Sequence, residues 1–108
     1  PRQAESMIAE AQLLEASGAS ILLLECVPQT LARQISEMLT IPVIGIGAGP
    51  DTDAQVMVLH DLLGISPITP KFVKNFLKDS KNGIRGALQD FVEHVKNKQF
   101  PGPEHSFD

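Results

Sequence analysis

Amphipathic stretches and continuous apolar runs alternate along this chain. Apolar residues recur at helical spacing in several stretches, whereas other runs are apolar without alternation. The helical spacing predicts helices at residues 3–17, 29–39 and 84–95, and one more from Thr69-Pro70 to Asn82-Gly83. The continuous runs predict strands buried on both faces at residues 21–27 and 41–47, and a short third strand at residues 65–68.

Residues 51–63 fit either a strand or a helix. The stretch Gln55 to Leu59 has residue types typical of strands. A parallel strand here would follow the second strand after only about five residues, whereas a parallel crossover needs about a dozen or more. Asp51, Thr52 and Asp53 are good N-cap residues, and Gly64 suits the end of a helix. We therefore expect a buried helix at 52–63.

The order of these elements predicts an α/β fold. Helices that alternate with strands cover a parallel sheet through right-handed crossovers. Three strands can form either a small open sheet or part of an eightfold barrel. The all-apolar strands, and an opening helix with no strand before it, favour part of a (β/α)8 barrel. In isolation such a piece would expose the edge of residues 20–27 and should associate.

Composition and charge argue against several classes of protein. The 108 residues are 43% hydrophobic and 20% charged, as in globular domains, so disorder is not expected. The net charge of −4, without a basic groove, argues against nucleic acid as a partner. The longest apolar runs, such as Ile21 to Leu24, are far shorter than the ~20 residues of a membrane span. A polar start, Pro1 to Glu5, predicts no signal peptide, and the single Cys26 suits a reducing compartment, so we expect a cytoplasmic protein.

Glu25 is the first candidate for a catalytic residue. In parallel barrels the catalytic groups lie at the carboxyl ends of the strands and in the loops that follow. Glu25 ends the aliphatic run of residues 21–24, where we expect partial burial to suit a general base. A structural role is equally open at this point, since the carboxylate could form a salt bridge or cap the helix that starts near Gln29.

The turn Gly45 to Pro50 is the second candidate. Its spacing, G-x-G-x-G-P, departs from the dinucleotide fingerprint G-x-G-x-x-G, and no acidic residue follows at the expected distance. Two interpretations stay open. The backbone N–H groups of Gly47 and Gly49 could face an anionic ligand, or these glycines could allow tight packing at the rim of a barrel.

Other polar residues are interpreted as structural. Neighbouring helix residues diverge by about 100°, so His60-Asp61 is expected to make a helix-end contact rather than to chelate a metal. Cys26 should point away from Glu25 and lie in the core as a buried thiol. Lys71 and Lys74 are expected to be solvated charges on a helix face.

Five ordered blocks resemble the ketopantoate hydroxymethyltransferase family and together span nearly the whole chain. They are Leu23-Leu24-Glu25-Cys26-Val27-Pro28, Ile41 to Gly49, His60-Asp61-Leu62-Leu63-Gly64, Pro70 to Phe76, and Pro101 with His105-Ser106-Phe107. The loop Ser66 to Ile68 departs from the family, whose members often carry extra glycine, histidine or aromatic residues there.

The resemblance implies a (β/α)8 TIM barrel of the phosphoenolpyruvate-mutase type, of which this chain would be the C-terminal part. A complete barrel takes about 250 residues. Residues 1–80 would supply the last βα units of the barrel. Residues 81–108 would form a C-terminal helix and tail that pack on the same barrel or on a neighbouring subunit. The pattern itself indicates that the two aromatic residues of the segment 100–108, Phe100 and Phe107, could anchor it. The family forms homo-oligomers (decamers), and we expect the same here.

The reaction implied by the resemblance transfers a hydroxymethyl group from 5,10-methylenetetrahydrofolate to 3-methyl-2-oxobutanoate, giving 2-dehydropantoate for pantothenate synthesis. The family's general base falls on Glu25, which would take a proton from the carbon beside the keto group. A Mg²⁺ chelated by the keto acid would stabilise the developing enolate. The family's metal ligands and its substrate-binding Ser and Lys match no position here. We therefore assign no metal ligand within this segment and expect the segment alone to be inactive.

Two other functions stay open. The first is a carbon–carbon lyase of the same barrel superfamily, although the blocks at residues 25–28 and 60–64 argue against it. The second is a non-catalytic module that mediates assembly, for which the helix at residues 84–95 is sufficiently amphipathic.

Overall fold

The computed structural model of the chain describes residues 2–108, so Pro1, the first residue of the polar start, lies outside the described part. Its elements are α1 (Arg2–Ala16), β1 (Leu22–Glu25), α2 (Gln29–Met38), β2 (Val43–Ile46), β3 (Ala54–Gln55), α3 (Leu59–Leu62), α4 (Gly83–Lys96) and a 3-10 turn at Pro103–His105. The strands form a parallel sheet in the order β1-β2-β3. The predicted α/β class with a parallel sheet is confirmed.

The first half of the chain folds as predicted, around one hydrophobic core. The helices α1 and α2 and the strands β1 and β2 all lie at their predicted places, with ends that differ by about two residues. Leu22, Leu24 and Val43 of the strands pack with Ala11 of α1 and Ile35 of α2. Burying one such aliphatic side chain stabilises a fold by about 1.5–3 kcal/mol, so the apolar faces of the helices and the sheet hold one another in place.

The predictions of a helix at residues 52–63 and of a third strand at residues 65–68 were wrong. The third strand is Ala54–Gln55, which pairs in parallel with β2, and the helix is limited to Leu59–Leu62. The expectation failed because it assumed a crossover that contains a helix. Residues 47–53 instead connect the two parallel strands as a tight loop.

Side-chain hydrogen bonds hold this short connection. The Oδ2 atom of Asp53 accepts a hydrogen bond from the Val43 N–H at 2.8 Å, and the Asp53 N–H donates to the Val43 carbonyl at 2.9 Å. The Nε2 atom of Gln55 donates to the Gly49 carbonyl at 2.8 Å and to Thr52 Oγ1 at 3.0 Å. Each such bond contributes about 1 kcal/mol, so the loop and β3 are held in place by polar contacts.

The predicted helix from Thr69-Pro70 to Asn82-Gly83 was also wrong, because this stretch forms turns. The Oδ1 atom of Asn75 accepts the Leu77 N–H at 3.0 Å, a local bond that competes with helical backbone pairing. The Phe76 N–H donates to the Leu62 carbonyl at 2.9 Å rather than within a helix. Lys71 and Lys74 therefore do not lie on a helix face.

A second core joins α4 to the segment 100–108. The Phe76 ring, 2% exposed, packs edge-on against Phe91 at 5.6 Å and Phe100 at 5.3 Å between centroids. Geometries of this kind favour aromatic pairs beyond the area that they bury. The expectation that an aromatic residue anchors the segment after α4 is confirmed for Phe100, which is 4% exposed.

One face of the sheet is left open by residues 2–108. In β1, Leu22 and Leu24 are buried whereas Leu23 and Glu25 are exposed. The prediction of strands buried on both faces was wrong for the described part of the chain, because α1 and α2 cover only one face. The predicted edge position of residues 20–27 is confirmed, since β1 is an edge strand of the sheet.

Glu15 ties α1 to the chain that leads into β2. Its Oε2 atom accepts hydrogen bonds from the Thr40 N–H at 2.7 Å, the Thr40 hydroxyl at 3.0 Å and the Ile41 N–H at 3.2 Å. The Thr40 N–H, followed by the Thr40 hydroxyl, holds the pKa of Glu15 below its ordinary value of 4.5. These bonds favour the charged carboxylate and therefore couple folding to pH.

We expect Glu15→Gln to destabilise a full-length protein that carries this sequence more at pH 7 than at pH 3. The lowered pKa of Glu15 contributes stability above pH 4.5, and this contribution is lost as the pH falls through the lower folded-state value. Urea unfolding at the two pH values measures the difference. The control is Glu93→Gln, an exposed carboxylate on α4. An equal loss of stability at both pH values for Glu15→Gln would contradict the prediction.

Candidate active site

Glu25 lies at the carboxyl edge of the sheet, on its open face. The parallel register pairs Glu25 with Ile46 and Leu23 with Ile44. Residues that are paired across a parallel sheet point to the same face, and alternate residues of a strand share a face. Glu25 therefore stands at the end of an aliphatic surface formed by Leu23, Ile44 and Ile46.

The surroundings of Glu25 differ from the prediction. Its side chain is exposed, so the expected partial burial is wrong as far as residues 2–108 are concerned. Within the same residues, neither of the two salt bridges involves Glu25, and no side chain caps α2. Within the described part of the chain, Glu25 therefore neither forms a salt bridge nor caps α2, the two structural roles that the sequence left open.

A left-handed residue follows Glu25 directly. Cys26 has φ 54°, a conformation that costs an L-residue about 1–2 kcal/mol, and its N–H donates to the Ile46 carbonyl at 2.9 Å. The prediction of a buried core thiol was wrong, because the strand ends at Glu25 and this turn leaves Cys26 exposed. Non-glycine residues in this region of backbone space cluster at functional sites.

The glycine-rich turn after β2 packs tightly at the same edge of the sheet. Gly47 has φ 66° and lies against the Phe72 ring, where a Cβ would approach Cγ to 2.9 Å. Gly49 has φ 80° and lies against Gln29, where a Cβ would overlap the side chain and stand 3.1 Å from Cα. The packing interpretation of these two glycines is therefore confirmed, and a contact between their backbone and a ligand stays a prediction.

The remaining polar candidates do not converge with Glu25 in the structure. His60 is exposed in α3, and His94 packs against the Phe76 ring at 5.6 Å between ring centroids. Within residues 2–108, no three side chains of His, Cys, Asp or Glu are grouped so as to hold a metal ion. No helix in this part of the chain is long and apolar enough to cross a membrane.

Sequence reasoning missed the residues that surround the start of α2. The Gln29 N–H donates to the Phe107 carbonyl at 2.7 Å, and Gln29 Nε2 donates to Asp108 Oδ1 at 3.0 Å. The Lys71 ammonium lies 5.0 Å from the centroid of the Phe107 ring. The only sequence signal for this cluster was that two aromatic residues in the segment 100–108 could anchor it.

A family model for ketopantoate hydroxymethyltransferase matches residues 1–103. Individual proteins match over almost the whole chain. A protein from Shewanella amazonensis named 3-methyl-2-oxobutanoate hydroxymethyltransferase is 52% identical over 96% of this chain and 39% of its own length. A protein of the same name from Pseudomonas fluorescens is 56% identical over 97% of this chain and 40% of its own length. The chain thus spans about two fifths of the length of these curated relatives.

Proposed function

The chain belongs to the ketopantoate hydroxymethyltransferase family, and we propose that it carries the general base of that family's reaction. The reaction is the transfer of a hydroxymethyl group from 5,10-methylenetetrahydrofolate to 3-methyl-2-oxobutanoate, giving 2-dehydropantoate for pantothenate synthesis. The observation that carries the proposal is the position of Glu25, an exposed carboxylate at the carboxyl end of β1 on the open face of the sheet. Catalytic groups occupy this position in parallel barrels.

In the proposed mechanism, Glu25 removes a proton from the carbon beside the keto group. The resulting enolate carbon forms a bond to the one-carbon unit while the bonds from that unit to the folate nitrogens break. One water molecule supplies the hydroxyl oxygen of the new hydroxymethyl group, and tetrahydrofolate leaves with the proton balance restored. Leu23, Ile44 and Ile46 share the face of Glu25 and offer an apolar surface to the branched side chain of the keto acid. That surface would also exclude water from the carboxylate when the rest of the protein covers it, which favours a general base.

Mg²⁺ and the folate belong to the proposal for the whole enzyme. Within residues 2–108, no three side chains of His, Cys, Asp or Glu are grouped as metal ligands would be. We propose that the Mg²⁺ ligands lie in parts of the enzyme outside this segment. The keto acid and the folate are the small-molecule partners that we propose.

We propose that this segment is the C-terminal part of a (β/α)8 barrel of the phosphoenolpyruvate-mutase type. The parallel sheet, its uncovered aliphatic face and the exposed edge of β1 support this architecture, because a barrel closes such edges and fills such faces. The relatives are also long enough for a complete barrel, at about two and a half times the length of this chain.

The two proposed parts of the segment have different roles. Residues 1–80 supply the βα units, and residues 81–108 pack on the same barrel or on a neighbouring subunit. The exposed side of α4 supports this second role through a stripe of Ile84, Leu88 and Val92, which are 56%, 41% and 48% exposed. We further propose a cytoplasmic homo-oligomer, for which the single cysteine supports a reducing compartment.

An assay of a full-length protein that carries this sequence tests the function. We expect formation of 2-dehydropantoate that requires 3-methyl-2-oxobutanoate, 5,10-methylenetetrahydrofolate and Mg²⁺ together. A carbon–carbon lyase of the same superfamily would turn over its substrate whether or not folate is present. Turnover that is indifferent to folate would therefore reject the transferase in favour of the lyase.

The segment of residues 1–108 alone is expected to be inactive. It holds the proposed base but no grouped metal ligands within residues 2–108, and the face that carries Glu25 stays open to water. The measurement is product formation by the purified segment, with the full-length protein at equal concentration as the positive control. Measurable transfer by the segment would overturn the assignment of the metal site to other parts of the enzyme.

A further inference from the structure

We propose that Gln29 and Asp108 are positioning residues that set the orientation of Glu25. This inference rests on the proposed function, in which Glu25 is the base, and it assigns a role to a contact that joins two distant parts of the sequence. The two side chains are 79 positions apart, yet Gln29 Nε2 donates to Asp108 Oδ1 at 3.0 Å.

Gln29 is the first residue of α2, where a helix exposes N–H groups that have no partner within the helix. Pro28 precedes it, and no side chain among residues 2–108 caps this end. The Phe107 carbonyl accepts the Gln29 N–H at 2.7 Å instead. Together with the bond to Asp108, this gives Gln29 two contacts with the segment 100–108 and makes that segment the cap of α2.

The turn between Glu25 and Gln29 is short and held at both ends. At its start, the Cys26 N–H donates to the Ile46 carbonyl at 2.9 Å. In its middle, Val27 is buried in the first core at 4% exposed. At its end, Gln29 donates hydrogen bonds to Phe107 and Asp108. Cys26 adopts the left-handed conformation directly after Glu25 and leaves little freedom between the strand and the helix, so we expect a displacement of Gln29 to shift Glu25.

The segment that supplies the cap is itself anchored. Phe100 is buried in the second core, and Ser106, 2% exposed, donates from Oγ to the Gly102 carbonyl at 2.9 Å. The neutral ring of His105 packs on Phe100 at 5.1 Å and accepts the Gly102 N–H on Nδ1 at 3.2 Å. A fixed segment can hold Gln29 in place, whereas a loose one could not.

The test uses four variants of the full-length protein: Gln29→Ala, Asp108→Ala, the double variant and Asp108→Asn. We expect each single alanine variant to lower kcat about 10-fold with little change in KM for the keto acid, because a misplaced base slows the chemical step. The double variant should be no worse than the single ones, since both remove the same contact. Asp108→Asn should keep the activity, because its amide oxygen accepts the same hydrogen bond.

A control variant and two contradicting results complete this test of Gln29 and Asp108. The control variant Asp79→Ala, at an exposed carboxylate in the turns after α3, should leave kcat unchanged. Unchanged kcat in both single alanine variants would overturn the proposal. A loss in Asp108→Asn equal to that in Asp108→Ala would overturn it as well, because the hydrogen bond would then not be the cause.

Hydrogen exchange separates this inference from the proposed function. Backbone amides of residues 26–30 should exchange faster in Asp108→Ala than in the unmodified full-length protein, and this readout requires no catalysis. If the unmodified protein shows no transferase activity, the proposed function fails while the exchange result still decides whether Asp108 holds the turn. Unchanged exchange in Asp108→Ala would reject the contact as a positioning device.

Discussion

Replacing Glu25 with glutamine in the full-length protein is expected to lower kcat by about 10³-fold, the scale of a lost general base. Glutamine keeps the size of the side chain but cannot accept the proton. Glu25 is exposed and takes part in neither salt bridge of residues 2–108, so we expect the substitution to leave folding and assembly unchanged. Steady-state kinetics with the keto acid and the folate measure the effect.

The control is Glu37→Gln, which makes the same chemical change at an exposed position of α2 and should keep full activity. The size of the assembly and the melting temperature should be the same for both variants and the unmodified protein. Retained activity in Glu25→Gln would remove Glu25 from the mechanism and leave assembly as the role of this segment. Lost activity with an intact assembly would instead favour catalysis over a purely structural module.

Replacing Gly49 with alanine is expected to lower the free energy of unfolding of the full-length protein by about 3 kcal/mol. Two costs combine at this position. The residue has φ 80°, which strains any side chain, and the new Cβ would overlap Gln29 with the Cα only 3.1 Å away. Because Gln29 begins α2, it cannot move without disturbing the turn after β1. Urea unfolding monitored by circular dichroism measures the change.

Gly18 offers a matched control for the backbone cost alone. It has φ 106°, but a Cβ there would meet nothing within 4 Å. Gly18→Ala should therefore cost only about 1 kcal/mol from backbone strain. Equal losses for the two variants would mean that the contact with Gln29 contributes nothing, which would contradict the tight packing described for the turn after β2.

Patterns that extend over neighbouring residues predicted their elements correctly. The helix α1, with apolar positions at helical spacing, and the strands β1 and β2, with unbroken aliphatic runs, carry their signal within a few residues of sequence. The place of Glu25 followed from the same local rule, because a polar residue that ends an apolar strand reaches the carboxyl edge of the sheet. In α1, β1 and β2 the local sequence preference agrees with the observed secondary structure, so tertiary contacts did not override that preference.

Two predicted elements failed where hydrogen bonds outside the regular backbone pattern, both local and tertiary, outweigh the helical preference. Ala54–Gln55 became a strand because Asp53 and Gln55 bind to the backbone of β2 and of its loop. The stretch after Gly64 lost its predicted helix because Asn75 bonds locally and Phe76 donates to α3. A periodic apolar pattern can be buried equally well on turns, so the pattern alone could not reject the helix.

The sequence by itself determined the α/β class, the first four elements and the helix α4, the carboxylate at the end of β1 and the blocks that resemble the family. Only the tertiary structure decided which strand lies next to β2, which face of the sheet stays open, and that Phe107 and Asp108 reach Gln29. The physical reason is distance along the chain. The periodicity of apolar residues indicates which residues share a face within one helix or strand. It gives no information on a hydrogen bond between residues 79 positions apart, such as that between Gln29 and Asp108.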